Sequence, residues 1–420
     1  DGPLWSLRLI PPAKGGKGSA LLWAANHAIS DQLSHNQVLA DVLSHIGRAR
    51  KGAEAVEPTE LPLPPSVEAA IVGPSQLALQ GEEPKARVRN IFLKLARPSS
   101  LSYSAFQCGA SGAIVLPRWT PPADKLGEEY SSTQRTTLAA FESVSGETTA
   151  ALRAVCRDHG VTISAALNAA AMLCATDVLG AESDRVEAET KALTRRYKLL
   201  QALNMRSLGG PEKNGLCGHN RETDGDWSNG SVVAGTGSLD ILIDLPYNSV
   251  AAVCDALLQT GDSPVFWETA RQCASQTKAW LANGWARESL LLFGAGWEFM
   301  NMNRVVELGA QDRTTLGRAY SCGTSNAGVF AHDEVYDGLK LEAIYFGISQ
   351  SVSAPSISVS CLTVGGALCL CTQWCSPIWN GEQGSSYARA VREMLELVAS
   401  TRDNPAVAQS AKRVEQMARS

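Results

Sequence analysis

Two short runs dominated by apolar residues, 4–10 and 19–25, flank the segment Pro11-Pro12-Ala13-Lys14-Gly15-Gly16-Lys17-Gly18. Strand-like runs on either side of a Gly/Pro cluster predict a β-hairpin. From Ser34 the period changes: Val38, Leu39, Val42, Leu43 and Ile46 recur at helical spacing, and Gly47 supplies a stop signal. His27 therefore falls in a strand-to-helix turn. Residues 50–84 shift to Pro, Glu and Ala, and Leu61-Pro62-Leu63-Pro64-Pro65 fits neither a helix nor a central strand, so a long surface connection is predicted. A short basic helix (85–95), a strand (113–116), a Thr-rich strand (134–141) and two helices (146–159 and 163–179) follow.

The charged stretch 181–190 precedes a new strand at 196–203 and marks a domain boundary, dividing the chain into 1–185 and 186–420. The second half reads as a Gly/Asn-rich loop (209–230), a strand (239–243) and helices at 249–259, 265–281 and 288–293. Strands then resume at 318–322, 328–330, 341–347, 356–363 and 367–373, before a helix at 385–399 and a frayed or surface-helical tail beyond 401. The mixture predicts an α/β fold, and no period of solenoid length is present.

A chain of 420 residues exceeds the size at which one hydrophobic core stops growing, so two domains with a cleft between them are expected. Hydrophobic residues make up 45% and charged residues 19%, the balance of an ordinary globular protein. A net charge of −5 without a Lys/Arg cluster excludes the electrostatic footprint of a nucleic-acid binder. The cysteine count, 11, is odd, and most of these residues sit singly in apolar stretches, as Cys156, Cys174, Cys254 and Cys273 do. That usage points to a reducing, cytoplasmic setting. Cys361, Cys369, Cys371 and Cys375 lack the paired spacing of structural zinc sites and read as core fillers, so no metal is expected. No signal peptide precedes the first strand, and no segment suits a bilayer span.

The spacing His27-x-x-x-Asp31 places a general-base candidate one helical turn from a carboxylate that can lie behind it. Deprotonating a hydroxyl as it attacks a thioester needs an imidazole of near-neutral pKa aimed into a cleft. Asp31 need not touch substrate, but if buried it requires a cation. His35 and His45 read as solvent-facing, His159 as a helix-end cation, and His219 and His332 as loop and turn residues. Cys322 is the one arguable nucleophilic cysteine, and a core role suits it better. The absence of a Gly-x-Ser-x-Gly elbow, a Walker loop or a dinucleotide fingerprint leaves hydride and phosphoryl transfer unsupported.

Together these segments resemble the chloramphenicol-acetyltransferase-like superfamily, nearest the fungal alcohol acetyltransferases, BAHD acyltransferases and condensation domains. The resemblance spans most of the chain. It is carried by His27 to Asp31, the Thr-rich strand, the helix beginning Val161-Thr162-Ile163-Ser164, Asn204-Met205-Arg206, Thr324-Ser325-Asn326-Ala327-Gly328, and the strands from Phe346-Gly347 to Trp374. It implies two α/β lobes with mixed sheets around a tunnel, with His27 as general base, Asp31 structural and paired with Arg206, and Thr324 a stabiliser of the oxyanion. Ser325 and Asn326 would meet substrate. Departures are Asn26 in place of a first histidine and Gln32 in place of a glycine. Family members also carry many more residues ahead of the motif than the 26 here, so an incomplete N-terminal lobe is expected.

The expected activity is O-acyl transfer, most simply of acetyl, from acyl-CoA as co-substrate to a hydroxyl of a small metabolite, alcohol or glycolipid, by a monomer without a bound cofactor. Two alternatives stay open: a condensation-type enzyme fed by a carrier protein, and a degenerate member that binds a ligand or partner without catalysis.

Overall fold

The computed structural model describes residues 3–54 except 17, 130–178 except 132, 194–208, 234–283 except 247–248, 310–350 except 313–314, and 352–400 except 353–354, with residues 57 and 113 standing alone. The predicted boundary at 185/186, the connection at 50–84, the elements at 85–95, 113–116 and 288–293, the loop at 209–230 and the tail beyond 401 all lie outside the described residues, residues 50–54, 57 and 113 apart. Two compact units are present, each built from separate stretches of chain. The first comprises Asp1–Glu82, Asn204–Gly237 and Phe330–Leu341, and the second Glu83–Leu203, Ser238–Val329 and Glu342–Ser420.

The first unit begins with an antiparallel hairpin, β1 (Trp5–Ile10) and β2 (Ala20–Ala25), in which Trp5 lies opposite Ala25 and Ile10 opposite Ala20. Its helix α1 (Gln32–Arg50) outruns the predicted stop at Gly47. Gly47 is buried, and a Cβ there would lie 3.0 Å from the Tyr336 carbonyl oxygen, so its role is close approach. The helix stops instead where Gly52 adopts φ +75°. The buried positions of α1 are Ser34, Asn36, Ala40 and Gly47, whereas Val38, Leu39, Val42 and Leu43 are half-exposed and Ile46 exposed. The buried face of α1 is thus small and polar, which a reading of apolar periodicity does not detect.

The second unit is a six-stranded mixed sheet covered by helices. Strands β3 (Thr136–Val144), β4 (Thr194–Asn204), β5 (Thr236–Pro246), β6 (Cys322–Val329), β9 (Ile357–Val364) and β10 (Ala367–Ser376) lie in the order β3-β10-β9-β6-β4-β5. β10 runs antiparallel to β3 and β9, while β6 is parallel to β9 and β4. Between β6 and β9 in sequence, β7 (Val335–Tyr336) and β8 (Leu339–Lys340) form a small hairpin that belongs to the first unit.

All eight residues of β9 are buried, as expected of a central strand covered on both faces. Helices α2 (Gly146–Asp158), α3 (Ile163–Val178), α4 (Ser249–Thr260), α5 (Pro264–Ala282) and α6 (Gly381–Ala399) build the rest of the unit. Helix α3 packs against α4, α5, α6 and β6, and residues 165–176 are buried on every side, the mark of a core helix. Its alanines permit this crowding. Helix α6 begins with a reciprocal capping box between Asn380 and Gln383.

Two predicted strands are corrected. Residues 318–321 precede the ladder, which starts at Cys322 and runs to Val329. Residues 341–347 form no strand, and contacts from this stretch and the residues after it are to side chains of the sheet. Tyr345 meets Phe141 edge-on at 5.3 Å, the Gln350 N–H donates to Thr137 Oγ1, and Gly347 sits so close to Gln373 that a Cβ would lie 2.8 Å from its Oε1. The register places Thr137, Phe141, Cys371 and Gln373 on one face of β3 and β10.

Candidate active site

The chain leaves β2 through a turn that Asn26 organises. Its side-chain Oδ1 accepts from the Ala28 N–H at 2.9 Å and its carbonyl from the Ile29 N–H at 3.1 Å. Such an Asx turn is a function of asparagine that histidine does not share. His27 sits at the exposed crest. Three and four residues on, Ser30 and Asp31 are buried, so the turn passes from exposed to enclosed within one helical turn of the histidine.

Asp31 is the N-cap of α1 and 2% exposed. Oδ1 accepts from the Ser34 N–H (3.1 Å), Ser34 Oγ (3.2 Å) and Arg206 Nη2 (2.8 Å). Oδ2 accepts from Arg206 Nη1 (2.7 Å), the Gly235 N–H (2.9 Å) and Thr236 Oγ1 (3.0 Å). These donors occupy the roughly four lone-pair positions a carboxylate offers, leaving none for a substrate proton. Burial raises the carboxyl pKa, but the hydrogen bonds and charge of Arg206 with the bonds from Ser34 and Thr236 outweigh it and hold Asp31 below its ordinary value.

Arg206 is equally enclosed and opens a single 3-10 turn, Arg206–Leu208. Asn204 Oδ1 accepts from the Arg206 N–H at 3.0 Å, while the Met205 N–H donates to the Gly235 carbonyl at 2.8 Å. Gly235 must be a glycine, because a Cβ would lie 2.9 Å from Arg206 Nη1. The structure thus brings Asp31 and Arg206 into a bidentate pair and adds Ser34, Gly235 and Thr236, which the sequence analysis missed. The signal available for Gly235 and Thr236 was the small-residue run Gly235-Thr236-Gly237 at the head of a strand.

Thr324, Ser325 and Asn326 lie in β6 of the second unit. Thr324 is buried, and its hydroxyl donates to Asn168 Oδ1 at 2.6 Å. Asn168 Nδ2 donates to Gln201 Oε1 at 2.6 Å, which also accepts from Thr277 Oγ1 at 3.1 Å. Two residues on, Asn326 Nδ2 donates to Ser164 Oγ at 3.0 Å, and its Oδ1 accepts from the Gly328 N–H at 2.8 Å. Thr324 and Asn326 therefore both face α3, while the half-buried Ser325 alternates to the opposite face of the strand.

Of the other histidines, His45 is exposed, but His35 is half-buried against Trp23 and bonded to Ser30, which corrects the solvent-facing expectation. His159 follows the last residue of α2 and stacks on Trp267 at 4.1 Å. His332 is half-buried against Phe330, and His219 is outside the described residues. Burial pushes the Cys322 thiol up to about 12, so it cannot supply a thiolate near neutral pH. Among the described residues, no single helix is long and apolar enough to cross a membrane.

No family model matches the chain, and no curated protein matches it in sequence. Solved structures do. The TRI3 trichothecene 15-O-acetyltransferase of Fusarium sporotrichioides superposes with a TM-score of 0.59 at 12% identity, over 95% of this chain and 71% of that one. Polyketide synthase associated protein 5 of Mycobacterium tuberculosis gives 0.51 at 18% identity, over 94% and 77%. With its large mixed sheet and helical cover, the chain has the fold of the chloramphenicol-acetyltransferase-like acyltransferases.

Proposed function

We propose that the protein is an O-acyltransferase that moves an acyl group, most simply acetyl, from coenzyme A to a hydroxyl of a small molecule such as an alcohol, secondary metabolite or glycolipid. The observation that carries this reading is the division of labour in the His27 turn: an exposed imidazole stands directly before a carboxylate whose oxygens are wholly engaged by Arg206, Ser34, Gly235 and Thr236. The carboxylate holds the turn, and the imidazole is left for chemistry. A fold shared with a named O-acetyltransferase supports the same reading.

In the mechanism, His27 takes the proton of the acceptor hydroxyl as its oxygen bonds to the thioester carbonyl carbon. The electron pair of the carbonyl moves onto its oxygen, and Thr324 is assigned to stabilise that oxyanion, for which its one hydroxyl proton must turn away from Asn168 Oδ1. Collapse breaks the carbon–sulfur bond, and the departing thiolate takes the proton back from His27. The ester and free coenzyme A leave. Asp31 and Arg206 fix the turn; Ser325 is assigned to the substrate side, whereas Asn326, on the opposite face of β6 with its amide engaged by Ser164 and Gly328, is corrected to a structural role.

The test is thiol release from acetyl-CoA with a panel of primary and secondary alcohols. His27→Ala should fall by about 10²- to 10⁴-fold, the usual contribution of a general base, with an unchanged circular-dichroism spectrum. Wild-type turnover retained in that variant would refute the assignment.

A further inference from the structure

The turn that carries His27 is tied at its far end by a second histidine. Ser30, buried and immediately before Asp31, has its Oγ 2.7 Å from His35 Nε2. His35 lies in the first turn of α1, where its N–H donates to the Asp31 carbonyl at 2.9 Å. Its ring is tilted against Trp23 of β2 at 6.1 Å, and Trp23 stacks on Trp5 of β1 at 5.0 Å. The ring thus bridges the strand entering the turn and the residue leaving it.

We infer that His35 is a positioning residue: through its hydrogen bond to Ser30 and its packing on Trp23 it sets the conformation of residues 27–30, and hence the direction in which His27 points. Asn26 fixes the start of the turn, and Asp31 fixes the helix that follows. Without the Ser30–His35 bond, the buried Ser30 hydroxyl would lose the hydrogen bond that ties it to α1. The charged or titratable neighbours that act on His35 are Asp31 and His27. Burial lowers its pKa against the opposing pull of Asp31, with a smaller lowering from His27, and the neutral ring makes one hydrogen bond to Ser30 in either tautomer.

The inference rests on His27 being the base, and its test separates the two. His35→Phe keeps the ring against Trp23 and loses the bond, Ser30→Ala loses the same bond from the other side, and His35→Gln keeps a hydrogen-bonding group within reach of Ser30. In acetyl-CoA thiol release, the Phe and Ala variants should lose roughly ten- to a hundredfold in kcat, the scale at which a small misplacement of a catalytic group is felt, with KM for acetyl-CoA unchanged. The Gln variant should recover most of that loss, and the double variant His35→Phe/Ser30→Ala should be no worse than either single one. A second arm needs no substrate: the His27 ring resonances of labelled protein should be single and sharp in the wild type and in His35→Gln, and split or broadened in His35→Phe and Ser30→Ala. Unaltered His27 resonances in both disrupted variants would overturn the positioning role. Altered resonances in protein whose acyl transfer is indifferent to His27→Ala would keep that role and overturn the assignment of the base.

Discussion

Asp31 carries a charge in a place that water barely reaches, and its environment determines how it must respond to change. Truncating its partner, as in Arg206→Met, leaves the carboxylate buried and uncompensated, which should cost about 3–5 kcal/mol in denaturant unfolding. The pH dependence follows from the direction of its shift. With a folded-state pKa below the unfolded value of about 3.9, the carboxylate contributes stability that is fully present above that pH and is lost as pH falls through the folded value. Asp31→Asn should lower stability at pH 7 and flatten the acid limb of the unfolding curve, measured by circular dichroism between about pH 4 and 2. At this scale the sequence exposes His27 and Asp31 through their spacing. It marks Gly235 and Thr236 only by a run of small residues and conceals Ser34 and His35, because a capping hydroxyl or a half-buried imidazole has no signature apart from the fold around it.

At the scale of elements, legibility follows burial. The strands at 357–364 and 367–376 and the helices α2, α3 and α6 lie within a few residues of their predicted bounds, since each has a continuous apolar run or face. The segment 341–347 deceives because alternation reports a packed face and says nothing about hydrogen-bonded neighbours. Helix α1 deceives in the other direction, hiding serine, asparagine and glycine instead of its valines and leucines. The seat of α6 on the sheet offers a direct test. A Cβ on Gly384 would lie 2.2 Å from the Trp374 ring, a backbone-to-indole approach that only glycine permits. Gly384→Ala should therefore lower the unfolding midpoint by an amount equivalent to about 1–3 kcal/mol, the cost of overpacking, and quench or shift tryptophan fluorescence as the indole is displaced.

Over the whole molecule, the α/β class and its resemblance to two-lobed acyltransferases were readable from the order of soft motifs, and the fold agrees with both. The discontinuous units were not readable, because a boundary sought along the sequence assumes that neighbours in the chain stay together. The cysteines supply a test at this scale. All nine in the described residues are buried with free thiols, and burial raises the pKa of several, Cys156 and Cys371 to about 11. Native protein treated with iodoacetamide at pH 8 should leave these nine unmodified by peptide mass mapping, and denaturant should open all of them together. The wiring around Asp31 has a different consequence, for synthesis. Its last donor, Thr236, lies 205 positions downstream. At about 5–20 residues per second, a nascent chain waits on the order of 10–40 s before that donor emerges from the ribosome. Until then the cap of α1 is a charge without its full cradle, so the turn bearing His27 takes its final shape only after helices α2 and α3 of the second unit have already been made.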